Sequence, residues 1–488
     1  MSYIVAADCG TTGTRAMLYD TALHKFVGSS HMPLTQIYPH PAWVEQNANE
    51  LYGNTLASII GQIDAAPSPS DVVGIGVTNQ RETVIAWDRR SGKPVYNAIV
   101  WQCRRTADAC EKLKDKAELI REKTGLVVDP YFSATKIRWI LDNVPAAMEL
   151  LNEGELCVGT VDSYLIFRLT GGKSFVTDHT NASRTMLFNI NTLEWDEELL
   201  TIFGVPRSIL PEVRRCTDVM GEFEYRGVKI PIAGVAGDQQ AALVGQAALG
   251  EGKGKITYGT GMFMLLSTGE QKAESKCGMV TTIGCSLAKK VVYALEGSVF
   301  NAGSAVQWLR DELDFFNDSA ESEYLAKRVP DNGGVYFVPA FTGLGAPYWR
   351  SDARATFTGI SRGTNKNHLT RAVLESIAYS AKDLASNMCS DSGIKISEIG
   401  CDGGAAVNDF LMQFQADVLG VKLVRPIEKE STALGAAYLA CLALGIYGEE
   451  DIEKHRAAER EFIPSADREK YERQYGEYKK AVEKCLLK

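Results

Sequence analysis

An aspartate at the end of an apolar run, Asp8, is followed two positions later by Gly10-Thr11-Thr12-Gly13, and these groups suit a phosphate chain. The glycines leave backbone N–H groups uncovered, the threonines add hydroxyl donors, and the carboxylate can face a hydrated Mg²⁺. A nucleoside triphosphate fits that set, although turns of this composition also close plain hairpins. Gly259-Thr260-Gly261 repeats the turn 249 positions after Gly10. Asp238 stands where the apolar run Ile230 to Ala236 meets Gly237-Asp238-Gln239-Gln240 and a helix over Ala241 to Ala248. A carboxylate there is either a helix N-cap or the base that accepts a hydroxyl proton during phosphoryl transfer. Arg81-Glu82, Trp101 and Tyr131 read as a surface turn and core aromatics, or as donors, acceptors and apolar walls for a small polyol. Asp402-Gly403-Gly404, with Asn408 after it, serves either tight helix–strand packing or the approach of a flat base.

The elements that must carry these groups follow one plan used twice. Strands over Tyr3 to Asp8, Arg15 to Asp20 and Lys25 to Met32 precede a helix over Ala48 to Ile63 and a strand over Val72 to Thr78. The order resumes with strands over Lys255 to Gly259, Met262 to Thr268 and Lys290 to Glu296, then a helix over Ser304 to Phe316. A helix over Leu369 to Met388, apolar at 374, 377, 378, 381 and 384, leads to a strand over Ile396 to Cys401. Two related α/β domains are expected, residues 1–249 and 250–488, joined at Gly250-Glu251-Gly252-Lys253-Gly254. Thr432 to Tyr447, rich in Ala and Gly, reads as a tightly packed interior helix, and the charged tail from Glu449 as mostly helical.

Composition narrows the classes. The chain has 488 residues, 45 % apolar, with 52 basic and 61 acidic side chains, a net charge of -9. That is ordinary globular usage with no global field for nucleic acid or anionic lipid, so neither is expected as a partner, and no membrane insertion is expected. Eleven cysteines without a C-x-x-C pair suggest reduced thiols rather than a disulfide framework or structural zinc. With no secretory pattern at Met1 to Asp8, the expected compartment is the cytoplasm. Gly171-Gly172-Lys173-Ser174 lacks the first glycine of a P-loop, and Gly343-Leu344-Gly345 lacks the third glycine of a dinucleotide fingerprint.

Asp8 to Arg15, Gly76 to Thr83, Ala98 to Arg105, Asp129 to Lys136, Gly237 to Ala242, Tyr258 to Phe263 and Phe341 to Trp349 together resemble the FGGY carbohydrate kinases, and among them the branch acting on glycerol. Tyr131 to Leu141 and Gly400 to Gly420 resemble that family's two signature regions. The resemblance implies two ribonuclease-H-like, actin-like ATPase domains flanking a catalytic cleft. It implies ATP and Mg²⁺ as cofactors and glycerol as the acceptor, with Asp238 as base. Arg81, Glu82, Trp101, Tyr131, Asp238, Gln239 and Phe263 would hold glycerol, and Asp8 the metal. Thr11, Thr12, Gly13 and Arg15 would meet the β- and γ-phosphates, Thr260, Gly303 and Gln307 the rest of the nucleotide, and Gly404 and Asn408 its adenosine end. A homodimer or homotetramer is the family-level expectation. Kinases of other polyols or ketoses, and a non-catalytic actin-like nucleotide switch, are the alternatives. Cys9 and Gly13-Thr14 depart from the Gln and Ser-Ser of the glycerol branch, with activity expected to survive. Gly221 to Lys229 is shorter than the glycine-rich loop of members inhibited by fructose 1,6-bisphosphate, so the resemblance does not carry that control over.

Overall fold

The computed structural model describes residues 2–487 and divides into two units. The first holds residues through Ala247 together with Thr281–Tyr293 and Glu430–Arg456; the second holds Ala248–Val280, Ala294–Lys429 and the chain from Ala457. A single cut near residue 250 therefore separates two returning segments from the unit they pack with.

In the first unit, β1 (Tyr3–Cys9), β2 (Gly13–Asp20) and β3 (Lys25–Pro33) form an antiparallel meander, with Asp8 opposite Arg15 in the β1–β2 register. β4 (Val72–Asn79) lies parallel to β1; β6 (Val228–Gly237) lies parallel to β4, and β5 (Val219–Tyr225) closes the edge antiparallel to β6. The sheet order is β5-β6-β4-β1-β2-β3. On one face lies the helix Ala48–Ala65, capped by the Asn47 carboxamide and ended before Pro67; its stripe of Leu51, Thr55, Ile59 and Ile63 is buried against the sheet. Burial of the aliphatic members, Leu51, Ile59 and Ile63, contributes about 1.5 to 3 kcal/mol each. On the other face lies Ser431–Ala443, a helix of small residues buried on nearly every side. Its approach is close: a Cβ on Gly76 of β4 would stand 2.2 Å from the Ala436 carbonyl oxygen. The interior helix expected here is present, but it belongs to the first sheet. The segment 221–229 is the β5–β6 hairpin, turned at Arg226-Gly227 with both residues at positive φ.

The second unit repeats the sheet. β7 (Lys253–Tyr258) and β8 (Met262–Gly269) form its opening hairpin; β10 (Val291–Val299) and then β9 (Val280–Ser286) follow in the sheet order, although Thr281–Tyr293, which spans most of β9 and the start of β10, belongs to the first unit. β11 (Glu398–Gly403) and β12 (Lys422–Pro426) run parallel to β7, and β13 (Ala458–Phe462) closes antiparallel to β12. The order β9-β10-β8-β7-β11-β12-β13 reproduces the first sheet with one strand added. This is the repeated α/β plan expected from the paired turns. Lys366–Ser392, 27 residues from the Asn365 cap to Gly393 at φ 71, presents Val373, Leu374, Ile377, Ala381 and Leu384 to this core. Boundaries differ in places. The helix expected over 304–316 is Gly303–Asp311, and the tail includes β13 before its helix Arg468–Leu486.

Candidate active site

Within the first unit, the chemistry gathers at the carboxyl ends of β1, β4 and β6. The Gly10–Thr12 turn is held from behind: the Thr11 carbonyl accepts from Gln36 Nε2 and Gln46 Nε2, each at 2.7 Å, and the Thr12 carbonyl accepts from Leu34 N. Thr12 is exposed, with Gly13 half-buried beside it, so the outer rim faces solvent. The two departures behave differently. Cys9 Sγ points into the core, 3.3 Å from Thr55 Oγ1, and Thr14 is fully buried, so neither side chain reaches the rim. Arg15 is ion-paired with Glu430 of the returning segment and about a third exposed. Burial first, then the charge of Asp238, push the Asp8 carboxyl up to about 7 against the pull of Arg15.

After β4 the chain turns sharply through Arg81-Glu82, with Glu82 at φ 59, an uncommon conformation for a side-chain-bearing residue. Both side chains are buried. Arg81 Nε lies 3.2 Å from Asp238 Oδ1, Arg81 Nη1 donates to Gln240 Oε1 at 3.2 Å, and Nη2 reaches the Tyr131 hydroxyl at 3.5 Å. Trp101 and Tyr131 meet edge to face at 5.5 Å, and the indole N–H donates to the Thr11 hydroxyl at 2.9 Å. Trp101 and the Gly10–Thr12 turn are thus joined directly. Asp238 is the first residue of its helix, and Gly237 occupies the cap, so Asp238 is not the N-cap. Its Oδ1 accepts Gln239 N at 2.8 Å, while Gln239 Nε2 faces Oδ2 at 3.3 Å. With its side chain 31 % exposed, Asp238 is the carboxylate of this group that solvent or a small acceptor can reach.

The second unit gathers most of the nucleotide set around its own turn. Gly259–Gly261 is closed by Gly259 N donating to Gly261 O at 2.8 Å. The helix Gly303–Asp311 starts on it: Gly303 N donates to Gly259 O, and Ala302 N and Ser304 N donate to Thr260 O. Those amides are therefore spent on the turn, leaving the Thr260 side chain exposed. Gln307 is exposed one turn along the same helix. Tyr258 pairs with Gly403, whose φ of 87 and close approach to the Tyr258 carbonyl set Gly404 at the surface beside the turn. Asn408 caps the helix Asp409–Leu419, accepting Leu411 N and donating to Ser322 Oγ. Phe263 sits half-buried opposite Thr257 on β8.

Residues 3–245 match the FGGY family of carbohydrate kinases, N-terminal domain, and residues 254–444 match its C-terminal domain. The chain belongs to the FGGY family of carbohydrate kinases. Curated FGGY relatives include the glycerol kinase of Halothermothrix orenii, 52 % identical over 99 % of this chain and 98 % of that protein. Glycerol kinase 2 of Thermotoga maritima is 53 % identical over 100 % of this chain and 99 % of its own. Among solved structures, Plasmodium falciparum glycerol kinase with ADP aligns at TM-score 0.95 and 38 % identity, covering 100 % of this chain and 99 % of that one. Ligand-bound xylulose kinase from Lactobacillus acidophilus aligns at TM-score 0.88 and 25 % identity, over 99 % and 98 %.

Sequence reasoning missed several residues of this FGGY site. Arg184, fully buried, donates from Nε to Glu82 Oε1 at 2.6 Å, with its guanidinium 5.3 Å from the Phe132 ring centre. Lys136, also buried, donates to the Tyr131 carbonyl at 2.6 Å; burial holds its ammonium down to about 8 against the pull of Glu82. Gln46 ties Thr11 to the Gln80 carboxamide at 2.7 Å. The polar run Thr177-Asp178-His179-Thr180-Asn181 was a cue to buried polar work, but no spacing in it names a partner.

Proposed function

We propose that the chain transfers the γ-phosphoryl group of ATP to a terminal hydroxyl of glycerol, giving sn-glycerol 3-phosphate. Relatives named glycerol kinase at 52 to 53 % identity over nearly the whole chain support the substrate, and the ADP-bound glycerol kinase neighbour supports the nucleotide. The observation that carries the reading is the accessible Asp238 carboxylate, held 3.2 Å from Arg81, whose guanidinium also faces Glu82 at 3.8 Å and the Tyr131 hydroxyl at 3.5 Å, with Trp101 edge to face on Tyr131. Asp238 accepts the hydroxyl proton as the oxygen attacks phosphorus in line. Arg81 and Glu82 offer a donor and an acceptor to the glycerol hydroxyls, Gln239 a further amide, and Trp101, Tyr131 and Phe263 apolar walls for its C–H faces.

Thr11, Thr12, Gly13 and Arg15 serve the β- and γ-phosphates in this reading, and Thr260, Gly303, Gln307, Gly404 and Asn408 serve the rest of the nucleotide. The Asp8 carboxyl suits Mg²⁺: burial first, and the charge of Asp238 second, push it up to about 7, and a bound cation favours its charged form against both. Asp8 would hold the ion, which, when bound with the nucleotide, supplies positive charge to the phosphate oxygens. Eleven cysteines, none in a disulfide among the described residues, agree with a reducing, cytoplasmic setting. Assembly as a homodimer or homotetramer rests on family resemblance and is read by light scattering.

The deciding experiment is ADP release with glycerol, erythritol, xylulose, ribulose and gluconate. Preference for glycerol is expected. Preference for a five-carbon sugar refutes the acceptor, and absence of glycerol-dependent turnover favours a nucleotide switch.

A further inference from the structure

Behind the polyol side of the site, one buried carboxylate reaches both catalytic strand ends. Asp178 caps the short helix His179–Ala182 and is fully buried. Its Oδ2 accepts the Thr180 amide at 2.6 Å and the Thr180 hydroxyl at 2.5 Å; its Oδ1 accepts Asn181 N at 3.2 Å and Asn181 Nδ2 at 2.7 Å. From there two arms diverge. The Thr180 hydroxyl spends its proton on Asp178, so its lone pairs face outward, and it accepts the Gly237 N–H at 2.9 Å. Gly237 is the last residue of β6 and the cap immediately before Asp238. Asn181 makes a reciprocal carboxamide pair with Asn79, 3.1 Å from its Nδ2 to Asn79 Oδ1 and 3.0 Å in return. Asn79 ends β4, and its second amide hydrogen goes to the Gln80 carbonyl at 2.9 Å, at the start of the Arg81-Glu82 turn.

Each hydrogen has one destination, so the network admits one arrangement. Asn181 Nδ2 is divided between Asp178 and Asn79, Asn79 Nδ2 between Asn181 and Gln80, and the Thr180 hydroxyl between one donation and one acceptance. Burial pushes the Asp178 carboxyl up, against the hydrogen bonds from Thr180, Asn181 and Cys216 Sγ, the last at 3.3 Å, and these converging donors hold the carboxyl in place at the root of both arms. The location matters because β4 and β6 pair only as far as Gly237 opposite Asn79. Beyond that rung, no ladder sets where the Arg81-Glu82 turn and the Asp238 helix begin.

We propose that Asp178, Thr180 and Asn181 are positioning residues for phosphoryl transfer: the Thr180 arm sets the Asp238 carboxylate, and the Asn181 arm sets the Arg81-Glu82 clamp. The inference rests on the glycerol kinase reading above. None of the three touches substrate; they act through Gly237, Asn79 and Gln80.

Because the arms lead to different groups, their loss has different kinetic signatures. Thr180→Val removes the hydroxyl and keeps the shape; a misplaced base lowers kcat by about 10- to 100-fold and moves the glycerol KM by less than about threefold. Asn181→Ala frees the clamp turn and raises the glycerol KM about tenfold, with kcat within about threefold. Thr180→Ser, which restores the hydroxyl, returns kcat to within about threefold of wild type. Should Thr180→Val not fold, Thr180→Ala is read in its place. The measurement is steady-state ADP release against glycerol at saturating ATP, with soluble protein confirmed by circular dichroism. Variants at 180 and 181 that lose kcat by like factors with KM unchanged carry only the signature of lost active protein and overturn the proposal. So does Thr180→Val with wild-type kcat, or Thr180→Ser as impaired as Val. A wild type without glycerol-dependent turnover overturns the functional reading and the inference with it; the other adverse outcomes overturn the inference alone.

Discussion

Arg184→Met takes a guanidinium from beside Glu82 while leaving an apolar chain of similar length against Phe132. Both charges are out of water, with Arg184 at 0 % and Glu82 at 1 % side-chain exposure. Breaking such a pair from one side costs about 3 to 5 kcal/mol, because the remaining charge stays buried. Glu82 keeps a second cation, Arg81, at 3.8 Å, but that guanidinium is shared with Asp238. The loss therefore falls near the lower bound, about 3 kcal/mol. In a unit of this size each kcal/mol moves the melting temperature by about 2 to 4 °C, so a drop of about 6 to 12 °C is expected by calorimetry. Adding Glu82→Gln removes the stranded charge, and the double variant melts above Arg184→Met. Glycerol turnover does not return with stability, since the clamp has lost its carboxylate. Melting within about 2 °C of wild type, or a double-mutant cycle additive within about 0.5 kcal/mol, would refute the reasoning.

Asp238→Asn keeps the side chain's shape and removes the base: kcat falls about 10²- to 10⁴-fold with the glycerol KM little changed, and near-normal turnover would end the assignment. Lys136 titrates at about 8 in the fold and at 10.5 when free. Between those values the unfolded chain holds more protons, so stability rises with pH, and this contribution is lost as pH falls through 8. Relative to Lys136→Met, the wild type should gain on the order of 3 kcal/mol in urea unfolding between pH 7 and 10.5; a flat difference contradicts the burial argument. Gly303→Ala sets a methyl 2.4 Å from the Gly259 carbonyl oxygen and displaces the helix start from the turn. The ATP KM should rise about tenfold or more with glycerol binding by calorimetry unchanged, and an unaltered ATP KM argues against the turn as a nucleotide site.

The opening hairpins, their strands and the helix Ala48–Ala65 were legible because period, turn and cap signals agree there. Val280–Ser286 was not: every residue of this strand is buried, so it has no polar face to alternate, and its two threonines and glycine blur the apolar run. Ser431–Ala443 could be recognised as an interior helix, yet its small residues face neighbours all round, and nothing in it says which sheet it joins. The ranges of the nearby turns were close because glycine marks them. The support behind the site was opaque for a different reason. Arg184, Thr180 and Asn181 matter through partners roughly 60 to 100 positions away, and a long-range hydrogen bond leaves no local pattern. Arg81 and Asp238 had bland readings as a surface turn and a cap; burial removes the first and Gly237 takes the place of the second.

The returning helix Ser431–Ala443 also fixes a schedule for biosynthesis. One face of the first sheet stays uncovered until that helix has left the ribosome, about 200 residues after the Ala247 boundary. At typical elongation rates of about 5 to 20 residues per second, the delay is roughly 10 to 40 s. During it, the faces of β1, β4 and β6 that will later close on Ala436 and Ala440 offer apolar strands to any neighbour, so the nascent chain is a natural client for a chaperone. A gene fragment stopped near residue 250 encodes Asp238, the Arg81-Glu82 turn and the Gly10–Gly13 turn, but not the helix that lets the sheet carrying them close.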